Sequence, residues 1–369
     1  MGDTILYGDN LSIAAFIQQP THWKKSVLGV LCFSKASGFS TVTGEDLMLT
    51  SDTVLGKAIP CLQVPMPRLD DADSSCETWQ GCGNLTQGKS GDINYQFDGE
   101  VLFGVIQLSE TTFETSADKT LLQQASESAY RQIFALADEM NFPHLFRFWN
   151  YMSDINGQSD GLERYLQFNL GRQDAFLAND RSVEGNVPAA CALGFKQNLV
   201  PAFSQDSLSI AFLAGRVMPI AIENPRQISA FLYPQQYGPR SPTFARAALV
   251  QLRQSEVLFI SGTASIVGHA TLHTEDVVVQ TRETMINIEA VLAEANRVAH
   301  QPKFCLTDLH YRVYVRHSTD FAQIQAELTR YVGSSPKAVY LQADICRQKL
   351  LLEIEATVEY PLPPPSVQD

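Results

Sequence analysis

Residues 276–298 read DVVVQTRETMINIEAVLAEANRV, residues 309–315 read LHYRVYV and residues 350–358 read LLLEIEATV. In the first stretch Val277, Thr281, Met285, Ile288, Leu292 and Ala295 recur at three- and four-residue steps, the period of a helix with one apolar face. Glu275 and Asp276 stand where the helix dipole is positive. The second and third stretches alternate, as half-buried strands do. Arg312, Tyr314 and Arg316 fall on one side of the second, and Glu353 and Glu355 share a side of the third. Working outward, Val257–Ile260 is a short apolar strand ending at Ser261 and Gly262. Phe321, Ile324, Leu328 and Tyr331 mark a second helix that Thr319 or Asp320 can cap, and Ala338–Ile345 continues as a strand. The order strand, helix, strand, helix, strand, strand predicts an α+β layer with two helices on one face of a sheet.

The first half is less regular. Ser26–Phe33 and Glu100–Leu108 are apolar and bounded by turn formers, hence strands. The stretch Asp70–Asp92 is rich in Asp, Ser, Gly and Asn and is expected to be a loop or a mobile excursion. A helix is expected over Ser116–Met140 and another over Gly161–Leu177. Strands are expected at Ala189–Phe195 and Leu208–Ile222. The division that follows is an N-terminal α/β domain over 1–221 contributing to the site, a catalytic domain over 222–360 and a loose Pro-rich tail over 361–369. No internal repeat is evident.

With 369 residues, two domains are the natural expectation. The composition, 45% hydrophobic and 18% charged, is globular. No run approaches the roughly 20 apolar residues of a membrane helix, so no membrane is expected. The start lacks a basic leader region, which makes the cytoplasm the expected compartment. Seven scattered cysteines argue for thiols rather than a disulfide framework, and no Cys/His spacing suits a metal. A net charge of −13 disfavours nucleic acid, whose binding needs Lys and Arg to replace counterions. An anionic small molecule needs only a local arginine cluster.

Five landmarks of the second half resemble, in order, the Rid (YjgF-like) superfamily, with its chorismate-mutase-like fold. They are Tyr237-Gly238-Pro239, Leu258–Gly262, Gln280-Thr281-Arg282, Val313–Arg316 and Glu353–Ala356. The chain from about Leu145 to Val358 resembles the chorismatases, which carry such a domain behind an N-terminal one. The residues concerned are Phe146–Asn150, Asp154–Asn156, Gly161–Tyr165, Phe168-Asn169, Gly171–Gln173, Glu223–Gln227, Gln236–Pro242, Ser261–His269 and Ala343–Arg347. The resemblance implies removal of the enolpyruvyl side chain of chorismate as pyruvate, without metal, nucleotide or flavin. Rid proteins are trimers with sites between subunits; an added domain could supply the missing wall, so monomer and trimer both stay open.

Chorismate is a dicarboxylate bearing an enol ether. A site must hold two anions and protonate a vinyl carbon. Arg240, Arg312 and Arg316 are the candidates for the anions, with Tyr237 and Tyr314 as hydroxyl partners. Glu353 matches the family's catalytic acid. Glu355 either raises its pKa or is itself the acid. In one kind of chorismatase water enters and a dihydroxycyclohexadiene carboxylate leaves. In the other, the ring's own hydroxyl displaces the side chain through an arene oxide and 3-hydroxybenzoate results. Gly262 and Cys346, seven residues before Glu353, resemble the second kind. Thr263 and Ser265 are candidate contacts to substrate oxygens. His269 reads as structural, and strand alternation is expected to point Arg347 away from Cys346. The competing readings are a chorismate hydrolase, a Rid-type imine deaminase and a ligand-binding protein.

Overall fold

The computed structural model describes residues 6–35, 59–70, 72–195, 207–300 and 303–362. Three sheets organise them. A small sheet has the order β1-β4-β2-β3, from Tyr7–Leu11 (β1), Val27–Ser34 (β2), Cys61–Val64 (β3) and Ser74–Gln80 (β4). The second sheet takes Thr86–Ser90 (β5), Ile93–Phe97 (β6), Val101–Ser109 (β7), His144–Ser153 (β8), Ala189–Phe195 (β11) and Ser207–Gly215 (β12). Gln158–Ser159 (β9) and Leu162–Glu163 (β10) form a small hairpin after β8. The third sheet takes Ile220–Ile222 (β13), Ala247–Gln251 (β14), Ser255–Thr263 (β15), His310–Val315 (β18), Lys337–Gln342 (β19) and Leu352–Pro361 (β21). Ile266–Val267 (β16) and Ala270–Thr271 (β17) make a second small hairpin. Helices Leu121–Glu139 (α1) and Arg164–Ala178 (α2) cover the second sheet; Val277–Val298 (α3) and Phe321–Val332 (α4) cover the third.

Both helices of the second half lie where expected, and Asp276 caps α3 by accepting from the Val279 amide; Asp320 stands at the start of α4 but makes no side-chain cap bond. Helix α1 starts later than its periodicity suggests because Thr120 caps it, accepting from the Gln123 amide. Several expectations fail, among them the single strand over 208–222, which divides into β12 of the second sheet and β13 of the third. Asp70–Asp92 is not a loop: β4 is a central strand of the small sheet, and its polar residues are buried by β1 and β2 on either side. Cys32 and Cys76 are not thiols; they face each other across the β2–β4 register, Cα atoms 4.1 Å apart, and form a disulfide. Of the expected tail, residues 363–369 lie outside the described residues, and Pro361 ends β21.

The sheets also contain a repeat that the sequence hides. The second has the order β6-β7-β12-β8-β11, with α1 between β7 and β8 and α2 between β8 and β11. In the third the order is β14-β15-β21-β18-β19, with α3 and α4 in the same places. Antiparallel and parallel pairings correspond throughout. The strand expected at 338–345 is split between the two. It leaves the third sheet at Gln342, and Asp344–Ile345 (β20) joins the edge of the second beside β11. Opposite the helices, the three sheets close on one apolar core containing Phe33, Trp79, Trp149, Phe259 and Tyr314.

Candidate active site

Strand alternation in β21 sends Leu352, Ile354 and Ala356 under the helices, and Glu353 and Glu355 to the opposite face, towards the second and small sheets. Both glutamates are 4% exposed. They have different partners. Glu355 accepts from Arg312 (2.6 Å) and the Tyr314 hydroxyl (3.0 Å) on one oxygen, and pairs with Arg147 on the other. Arg312 also pairs with Glu77 of β4, and its Nη1 donates to Tyr151 (3.2 Å). Arg147, on β8, donates to the Ile260 carbonyl (3.4 Å) and lies over Trp149.

Among the described residues, Glu353 has no ion-pair partner. It opens onto a cavity of about 610 Å³, a size suited to a small ring acid. Burial, and secondarily the charge of Glu355, push its pKa up to about 8. The carboxyl is therefore largely protonated at neutral pH. Around it stand Gly262, Cys191 and Cys346, whose Sγ is 3.9 Å from Glu353 Oε2. Burial, reinforced by Glu353, pushes the Cys346 thiol up to about 12, so it is a thiol and not a thiolate. Gly262 lies where β15 slips one residue against β21, between the pairs Ile260–Ala356 and Thr263–Ile354. The slip brings its backbone over the carboxyl.

The remaining walls come from both halves of the chain: Asn156, Glu163, Tyr165, Leu166 and Arg172 from the first, and Tyr233, Tyr237, Phe244, Arg246 and Arg347 from the second. Three guanidinium groups thus face the space. Arg172, 2% exposed on α2, bonds Asn169 (3.0 Å) and leaves Nε without a protein partner. Arg246 donates to the Ile228 carbonyl (2.7 Å) and the Tyr233 hydroxyl (2.9 Å), and its Nε is likewise unpartnered. Arg347 stacks on Tyr237 (4.1 Å to the ring centroid) and is tied to the His269 carbonyl (2.8 Å) and Thr271. Neutral walls with a few charged forks suit a carboxylate-bearing guest.

Of the sequence candidates, the structure brings Glu353, Cys346, Gly262 and Tyr237 together in this cavity. It does not bring the others. Arg312, Tyr314 and Glu355 are in the buried ion layer behind Glu353, with their polar groups already engaged. Arg316 is spent on Asp344 (2.9 Å), Asn156 (3.1 Å) and the carbonyls of Leu350, Ile345 and Arg347, fixing the turn that carries Cys346. Arg240 is exposed. Thr263 donates to the Ser261 carbonyl (2.8 Å) and Ser265 to the Leu272 carbonyl (3.1 Å), both local turn bonds. Arg347 overturns its expectation, because β20 ends at Ile345 and alternation stops applying to the turn beyond. Arg172 had a legible signal: with Phe168 and Phe176 it falls on a four-residue stripe, a cation on an apolar helix face. Tyr237 donates to, or accepts from, His269 Nδ1 (3.0 Å), and His269 stands behind it outside the cavity wall.

Residues 77–214 match the family described as "Chorismatase FkbO/Hyg5-like, N-terminal", and residues 243–360 match "Endoribonuclease L-PSP". A 3-hydroxybenzoate synthase of Streptomyces hygroscopicus is 32% identical over 343 residues, 90% of this chain and 92% of that one. A chorismatase of Streptomyces rapamycinicus is 30% identical, covering 89% of this chain and 97% of its own length. A chorismatase crystal structure superposes with a TM-score of 0.78 at 28% identity, over 96% of this chain and 100% of that one. Similarity that runs through both halves, and so includes both walls of the cavity, makes this chain a member of the chorismatase family.

Proposed function

We propose that the chain converts chorismate to 3-hydroxybenzoate and pyruvate, with Glu353 as the proton donor. The observation that carries this is a buried carboxyl, protonated at neutral pH, facing a cavity with three guanidinium groups. Arg172, Arg246 and Arg347 are the groups available to the two carboxylates of the substrate, with Tyr237 as a hydroxyl partner. Glu353 delivers its proton to the methylene carbon of the enolpyruvyl group, and positive charge develops at the ether carbon. The bond from the ring to the ether oxygen breaks, and pyruvate leaves with that oxygen as its ketone. The ring hydroxyl bonds to the vacated carbon and releases its proton, which restores Glu353. The arene oxide then opens, and transfer of a ring hydrogen to solvent with protonation of oxygen gives the phenol. Atoms balance without added water.

Two features support this outcome over hydrolysis. Gly262 and Cys346 stand against the acid in the combination that resembles the 3-hydroxybenzoate-forming kind, and the thiol occupies the place beside Glu353 Oε2 that a water would otherwise take. The relative from Streptomyces hygroscopicus bears the corresponding name. Purified protein incubated with chorismate is expected to give equimolar pyruvate and 3-hydroxybenzoate, with a phenolic oxygen free of label from heavy-oxygen water. A dihydroxycyclohexadiene carboxylate as main product reassigns the chain to hydrolysis; no pyruvate at all sinks the reading.

A further inference from the structure

We propose that Glu77 is a positioning residue for the proton donor: it closes a charge-neutral buried quartet with Arg312, Glu355 and Arg147, leaving a setting that accommodates only the protonated form of Glu353. This rests on the reading of Glu353 as the acid. It extends that reading to a strand of the small sheet that does not touch the cavity.

The quartet draws on all three sheets. Glu77 comes from β4, Arg147 from β8, Arg312 from β18 and Glu355 from β21. All four are at most 6% exposed. Two cations and two carboxylates cancel: Glu77 pairs with Arg312, Arg312 with Glu355, and Glu355 with Arg147; burial pushes the Glu77 carboxyl up, and the Arg312 charge against it pulls it back towards the ionised form. Uncompensated charge in such a layer is costly, so a fifth ionised group is resisted. Glu353 would be that group. Facing it are Glu355 on its own strand, Arg147 on β8, Cys191 on β11, Arg312 and Tyr314 on β18, and Cys346 beyond β20. Both guanidinium groups in that set are committed to other carboxylates, and the thiols and the phenol are neutral. On the cavity side, Arg172, Arg246, Arg347 and Lys349 line the space a substrate would fill, together with Glu163, Tyr165, Tyr233 and Tyr237. Removing Glu77 leaves the layer with one cation in excess, and an ionised Glu353 then becomes the group that restores balance.

The test is the pH dependence of kcat in variants that change charge with little change in shape. Glu77→Gln is expected to move the basic limb down by about one pH unit, the order of a nearby unit charge in a protein interior. Arg147→Gln is expected to move it up. Arg312→Lys keeps the charge and is expected to leave the limb in place while lowering Tm, and the pair Glu77→Gln with Arg312→Gln is expected to return it towards wild type. Rates are divided by the folded fraction measured at each pH, so that partly unfolded variants still report the position of the limb. As a readout that needs no turnover, the infrared band of the protonated carboxyl that is lost in Glu353→Gln is titrated in wild type and in Glu77→Gln. Limbs that stay put, or that move the same way on removing either sign of charge, overturn the role of Glu77. An active Glu353→Gln enzyme overturns the underlying reading instead, and the proposal with it.

Discussion

A Cβ built on Gly262 would overlap the Oε1 atom of Glu353 and come within 3.2 Å of the Cys191 Cβ. The glycine is required here by the space that the acid occupies, because its backbone φ is not in the left-handed region. Gly262→Ala must therefore move the carboxyl, since the opposing backbone belongs to β21 in the centre of its sheet. A displacement of this order costs about 10²-fold in rate when the proton must reach one carbon. Steady-state kinetics should show the loss in kcat with KM little altered, and the product should shift towards the dihydroxy acid as water gains access. Unchanged kcat would mean that the acid is not held against this glycine during turnover.

Glu353→Gln should remove most turnover, about 10²- to 10⁴-fold for a general acid. Its stability is equally informative. The folded pKa of about 8 lies above the unfolded carboxylate value, so the native state binds more protons between the two. The contribution of Glu353 to stability is full below the unfolded value and is lost as pH rises through about 8. Glutamine, neutral at every pH, has no such loss. Thermal melts should coincide at acidic pH and favour the variant at pH above about 8. In wild type, kcat/KM, which reports the free enzyme, should fall on the alkaline side with the same midpoint.

The local chemistry of the second half was legible because helix α3 is amphipathic over six turns and β21 alternates strictly, so Glu353 and Glu355 could be put on one face from the sequence alone. What that alternation could not say is which partner each would meet. Arg312 and Arg316 share a strand face with a catalytic look, yet Arg312 is neutralised by Glu77, distant by 235 positions and on a strand whose Ser, Cys and Thr content reads as loop. The repeat was hidden for a related reason. Topology conserves which strands neighbour each other, whereas β12 is wholly buried and β21 carries two charged groups inward, so the two halves share no residue pattern. Arg347 was misplaced because alternation was extended one turn past the end of β20.

Cys346 lies 3.9 Å from Glu353 and, pushed up to about 12 by burial, is a thiol at neutral pH. The role proposed for it is that of a weak donor and a volume that keeps water from the carboxyl. Cys346→Ala removes both, and chromatography should show 3-hydroxybenzoate giving way to the dihydroxy acid, with total pyruvate changed far less than the ratio of ring products. Cys346→Ser, which keeps a donor but attracts water, should fall between. A product ratio that is identical in all three proteins would refute the assignment to the 3-hydroxybenzoate-forming kind.

The arginines divide between those that line the cavity and those, Arg312 and Arg316, that are ion-paired with carboxylates away from it. Arg172, Arg246 and Arg347 line the cavity, the last flattened on Tyr237, so each is placed to give a charge-assisted bond to a carboxylate. Loss of such a bond costs about 1.5–3 kcal/mol, or roughly 10- to 100-fold in binding. Arg347→Met and Arg172→Met should thus raise KM for chorismate by about that factor; methionine preserves bulk against Tyr237 and Phe168. Lysine at either site should recover only part of it, since a point charge cannot reproduce the fork. Arg240→Ala, on the exposed turn outside the cavity, is the control, and its KM should match wild type. If Arg240→Ala weakened binding as much as Arg347→Met, the turn 238–242 would have to close over the substrate, and the anion clamp would need to be redrawn around it.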